Sequence, residues 1–100
     1  MIKYTYLDVQ LKLQDDTDAT LTPAYFLGSI NNSLKSLFGE IGGQTELEII
    51  EFSIDKKRGI IKVPSDYNRR VRSAIALIGY YQDIRCHFRV FQESSKLLNL

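Results

Sequence analysis

Residues 47–63 read Leu47-Glu48-Ile49-Ile50-Glu51-Phe52-Ser53-Ile54-Asp55-Lys56-Lys57-Arg58-Gly59-Ile60-Ile61-Lys62-Val63, two runs of β-forming side chains separated by a polar tip. Residues 47–53 predict one strand, with Ile50 and Phe52 on one face and Ile49 on the other, and residues 60–63 predict a second. The tip ends in Gly59, which can take a positive φ, so the two strands are expected to form an antiparallel hairpin. A hairpin alone is marginal in water, and its meaning depends on what flanks it.

A helix pattern stands on each side. Upstream, Thr22 precedes Pro23 as an N-cap before a helix start, Phe26, Ile30, Leu34 and Leu37 form an apolar stripe, and Gly39 ends it. Downstream, Ser65 or Asp66 follows Pro64 as a cap, Tyr67, Val71, Ala74, Ile75 and Ile78 form the stripe, and Gly79 stops it. Beyond the helices lie two alternating segments. Leu7, Val9, Leu11 and Leu13 alternate with polar residues in a strand over Tyr4–Leu13, and Cys86, Phe88 and Val90 alternate with Arg85, His87 and Arg89 in a strand over residues 84–92. Ser94 or Ser95 caps a short C-terminal helix through Leu97, Leu98 and Leu100. The order β-α-β-β-α-β predicts an α+β split-βαβ sandwich, of the ferredoxin-like or RNA-recognition-like kind. Two helices would cover one face of a four-stranded antiparallel sheet. The other face would place Asp8, Gln10 and Lys12 beside Arg85, His87 and Arg89.

The 100-residue length suits a single domain over residues 1–100 with one core. One Cys cannot form an internal disulfide, and Cys86 with the lone His87 cannot supply four zinc ligands, so a reducing compartment and no metal or cofactor are expected. Apolar runs fall far short of the roughly 20 residues of a membrane span, and the first ten residues lack a signal-peptide centre. Neither membrane association nor secretion is therefore expected. The net charge of +1 conceals a split: residues 1–54 carry eight carboxylates against three lysines, and residues 55–100 carry ten Lys and Arg against four carboxylates. Such asymmetry hints at a polyanion or an acidic partner.

No arrangement specifies catalysis. Asp15-Asp16-Thr17-Asp18 has Leu21 and Leu27 where a calcium loop needs Gly and Glu, and reads as a solvated loop. His87 has no triad partner at a specifying distance, and Cys86 reads as a small buried hydrophobe. An acylphosphatase-like enzyme would need cations in the loop over residues 14–21, which instead holds carboxylates. An RNA-recognition motif would place rings on the third strand, where Arg58-Gly59-Ile60-Ile61-Lys62-Val63 has none, leaving Tyr6 as a single candidate ring.

Basic residues are the better candidates. Lys56, Lys57 and Arg58 crowd one tip, a pattern that fits either phosphate binding or a soluble loop. Arg69 and Arg72 share a helix face while Arg70 falls on the other flank. Cations in the first turns oppose the helix dipole at about 0.3–1 kcal/mol each, a local conflict that favours a binding role. With Arg85 and Arg89 of the last strand, these form the candidate RNA-binding set. Tyr80, Tyr81, Leu97 and Leu98 form the candidate partner interface, the alternative being core or helix end. On these grounds alone, a free-standing RNA-binding module is a second reading.

Ser36-Leu37-Phe38-Gly39-Glu40, Leu77-Ile78-Gly79-Tyr80-Tyr81 and Cys86-His87-Phe88-Arg89-Val90, in that order, resemble the Rpp/Pop family of ribonuclease P protein subunits, the small Rpp-fourteen branch first and the Pop-five branch second. The similarity runs from about Tyr4 to Leu98. It implies a non-catalytic subunit of the particle that removes 5′ leaders from precursor tRNA, and of the related ribonuclease MRP, in which RNA with magnesium is the catalyst. It further implies other subunits as partners, above all a larger barrel-fold protein, with ribonuclease P RNA and precursor tRNA contacted indirectly, in the nucleus and nucleolus. Little chain follows Leu98, so the expectation of a protein partner is firmer than that of direct RNA contact.

Overall fold

A computed structural model of the chain describes residues 3–14, 21–43, 47–81 and 84–96, with backbone alone for 40–43. Its elements are β1 (Tyr4–Leu13), α1 (Pro23–Gly43), β2 (Glu48–Ser53), β3 (Arg58–Pro64), a 3-10 turn (Ser65–Tyr67), α2 (Asn68–Ala76), β4 (Tyr80–Tyr81) and β5 (Ile84–Ser94). The strands form one antiparallel sheet in the order β2-β3-β1-β5-β4, so β1 sits at the centre with β3 and β5 on either side. This is the expected α+β class with five strands instead of four. The extra one arises because the chain leaving α2 pairs Tyr80 with Arg85 and Tyr81 with Ile84 before turning into β5.

The core lies between the helices and one sheet face. Leu7, Val9 and Leu11 of β1 meet Phe26, Ile30 and Leu34 of α1 and Val71, Ala74 and Ile75 of α2, all buried in one cluster. Phe26 packs edge-on against Phe52 and Phe88, with centroids 5.2 and 5.4 Å apart. Thr22 caps α1 as its sequence predicts, its Oγ1 accepting the Tyr25 N–H at 3.2 Å. Gly39 interrupts α1 with φ 77°, and helical backbone resumes to Gly43. The second helix is shorter than expected because Ser65 is committed to the sheet. Its N–H donates to the Lys3 carbonyl at 2.9 Å and its hydroxyl lies 2.8 Å from that of Thr5. Ser65 thus opens a 3-10 turn instead of the helix, Tyr67 is exposed rather than part of the stripe, and α2 ends at Ala76.

Two bulges reset the alternation. In β2, Ile49 opposes Ile61 and Glu51 opposes Ile60, so Ile50 is the extra residue. Ile49 and Phe52 therefore share the core face and Ile50 is exposed, which corrects the pairing of Ile50 with Phe52. In β5, Val90 opposes Val9 and Gln92 opposes Asp8, so Phe91 is the extra residue. The hairpin tip also differs: Lys57, at φ 53°, takes the positive φ, while Gly59 is a buried residue inside β3. The acidic residues 15–18, Leu97, Leu98 and the expected C-terminal helix lie outside the described residues.

Candidate functional site

The sheet face away from the helices gathers charge from three strands. Register places Gln10 of β1 between Arg58 of β3 and Arg89 of β5, and Lys12 opposite His87. Asp8 is 3% exposed on this face, and its carboxylate is held by Arg58. Arg58 Nε donates to Oδ1 at 3.1 Å and Nη2 donates to Oδ2. A buried carboxylate needs such a partner, and this hydrogen bond in turn raises the pKa of the Arg58 guanidinium. Beside them Ile60 is fully buried yet lies outside the helix-side cluster, so this face has a small covered centre of its own.

Phe91, the bulge residue, joins the two arginines. The Arg58 and Arg89 guanidinium carbons lie 4.7 and 4.8 Å from its ring centroid, and Lys62 Nζ stands 4.0 Å from the Tyr4 ring. Arg58 spends its fork on Asp8. Arg85, Arg89 and Lys12 have no carboxylate partner among the described residues. The bulge also removes a carboxylate from this face. Glu93 pairs with Leu7 on the helix side, where its Oε1 accepts Asn68 Nδ2 at 2.9 Å and Arg72 Nη1 at 3.0 Å. The Asn68 bond, then Arg72, hold the Glu93 pKa below the usual carboxylate range.

The candidate RNA-binding residues therefore fall into three places. Lys56 is exposed at the hairpin tip and Lys57 half-buried there, while Arg58 has left the tip for the sheet. Arg69 and Arg72 line a cleft of about 440 Å³ with Asn68, Ser73, Ala76 and Glu93, and Arg72 is neutralised there. Arg70 lies on the other flank as expected, 5.6 Å from the rings of both Phe38 and Tyr67. Arg85 and Arg89 are exposed on the sheet face. Near them Lys12, Leu13, Gln14, Arg85, Cys86 and His87 line a second cleft of about 410 Å³. Burial pushes the Cys86 thiol up, which disfavours a nucleophilic thiolate.

Of the candidate partner residues, Tyr80 is 65% exposed, and nearby Leu77 is equally so at 66%. Tyr81 is 2% exposed and packs in the core, so its side chain is no part of that surface; alternation along β4 turns it inward. Sequence reasoning missed Phe91, whose position depends on a bulge, and Leu77, which lies just past the end of α2. No helix among the described residues is long and apolar enough to cross a membrane, and no three His, Cys, Asp or Glu side chains gather there as a metal site.

The fold and this basic, cation-aromatic face define a small α+β protein of the split-βαβ type. The model of the Rpp14/Pop5 family of ribonuclease P proteins matches residues 5–97, and the chain belongs to that family. It is 32% identical over 98 residues to ribonuclease P protein subunit p14 of Homo sapiens, covering 98% of this chain and 78% of that protein. The Mus musculus protein of the same name is 30% identical over 98 residues, 98% of this chain and 80% of that protein. A chain in the cryo-EM structure of yeast ribonuclease MRP shares the fold with a TM-score of 0.80 at 20% identity, over 98% of this chain and 79% of that chain.

Proposed function

We propose that the chain is a non-catalytic protein subunit of a ribonuclease P ribonucleoprotein, supporting 5′ leader removal from precursor tRNA through assembly with other subunits in the nucleus and nucleolus. The observation that carries this reading is the family match across residues 5–97, which leaves almost none of the described chain unaccounted for. The site chemistry supports it. Among the described residues the face holds exposed cations beside an aromatic ring, chemistry that suits contact with the phosphates of an RNA.

The partner surface is the exposed Tyr80 of β4 with Leu77 just before it, at the edge of the sheet. Large apolar side chains at a free strand edge favour docking of another protein, here the larger barrel-fold subunit. Depletion of the chain in its own cells tests the function. Precursor tRNAs with uncut 5′ leaders are expected to accumulate, and unchanged 5′ ends would contradict the proposal.

A further inference from the structure

Successive same-face residues of a strand stand about 7 Å apart. That step is close to the separation of neighbouring phosphates on an extended nucleic-acid strand. On β5 the residues at this step are Arg85, His87 and Arg89, all exposed, with Phe91 next along the chain. Arg89 is held against the Phe91 ring, and a stacked guanidinium keeps its N–H donors in plane and available for bidentate contact with phosphate. Along β5 this face carries charges of one sign: the bulge turns Glu93 to the opposite face, Asp8 on β1 is occupied by Arg58, and the carboxylates of Glu48 and Glu51 stand away on β2, beyond β3 and β1.

From this geometry we infer that the helix-free face of β5 is a track for single-stranded RNA, on which Arg85, His87 and Arg89 meet successive phosphates and Phe91 is the positioning residue for Arg89. The inference rests on the reading that the chain works within a ribonucleoprotein, and it names the face that meets RNA. A straight row of donors on a sheet fits an extended strand. Both guanidiniums at Phe91 already occupy its ring, so the track reads backbone rather than bases and tolerates any sequence.

The test uses the full chain and a fluorescein-labelled oligouridylate, with anisotropy titrations across a salt series. Arg85→Ala with Arg89→Ala is expected to weaken binding severalfold and to flatten the log–log salt slope by about 0.7 per lost phosphate contact. Phe91→Leu removes no charge, yet is expected to weaken binding too, and Arg89→Lys to restore only part of the loss from Arg89→Ala. Circular dichroism of each variant checks that it is folded. Binding unchanged in the folded double variant overturns the inference. A polyglutamate peptide that competes as well as RNA also overturns it, and assigns the face to an acidic protein segment. The tagged double variant should still recover the other protein subunits from cells. If the wild-type chain recovers none, it is the subunit reading that fails.

Discussion

Asp8 shows how one residue's environment is set from three strands. In the sequence it is one polar position among several alternating on the first strand. Its burial follows from Arg58, which reaches it across the β1–β3 pairing. Removing the carboxylate strands a guanidinium over the covered centre, so Asp8→Ala is expected to cost about 2 kcal/mol in urea unfolding. With Arg58→Ala the double variant should lose less than the sum of the two single losses, and strict additivity would contradict the pairing. Gly59 was legible as a glycine with a purpose, but the purpose is packing. A Cβ there would stand 3.2 Å from Phe52 and 3.3 Å from Phe26, both ring atoms held in the core. Gly59→Ala is therefore expected to destabilise by about 1–3 kcal/mol, measured by the same unfolding experiment, and an unchanged midpoint would contradict that packing.

At the scale of elements, the long strands and both helices could be read because Leu7, Val9 and Leu11 alternate cleanly and Phe26, Ile30 and Leu34 recur at helical spacing. The two-residue β4 and the shortened α2 could not, since a strand that brief has no period and the commitment of Ser65 depends on Lys3 and Thr5 far away in the chain. The bulges were equally hidden, because one extra residue flips everything after it. The flip in β5 gives α2 a tether, Glu93 to Asn68 and Arg72. Since folding lowers the Glu93 pKa, its stabilisation is present above the unfolded carboxylate pKa and is lost as pH falls through the lower folded value. The wild type should thus exceed Glu93→Gln in stability above about pH 5, with the difference vanishing in acid. The exposed setting and salt screening keep that difference small. A difference that grows toward low pH would contradict the assignment.

Across the whole molecule, the charge split of the sequence resolves into separate surfaces. The basic second half does not make one patch: the hairpin tip, the α2 cleft and the sheet face each take part of it, and Arg58 and Arg72 are neutralised by carboxylates from elsewhere in the chain. Arg85 and Arg89 could be named from alternation alone, whereas their grouping with Phe91 and the loss of Tyr81 to the core needed three dimensions. The edge and the middle of the sheet then offer different chemistry, apolar at β4 and charged across β5 and β3, as suits a subunit set between a protein and an RNA. The most direct test of that role is affinity capture of the tagged chain from its own cells, followed by a 5′ leader cleavage assay on precursor tRNA with and without nuclease pretreatment. Cleavage by the captured particle is expected, with its loss after nuclease treatment and none from the purified chain. Cleavage by the chain alone, or a capture bringing down neither RNA nor activity, would contradict it.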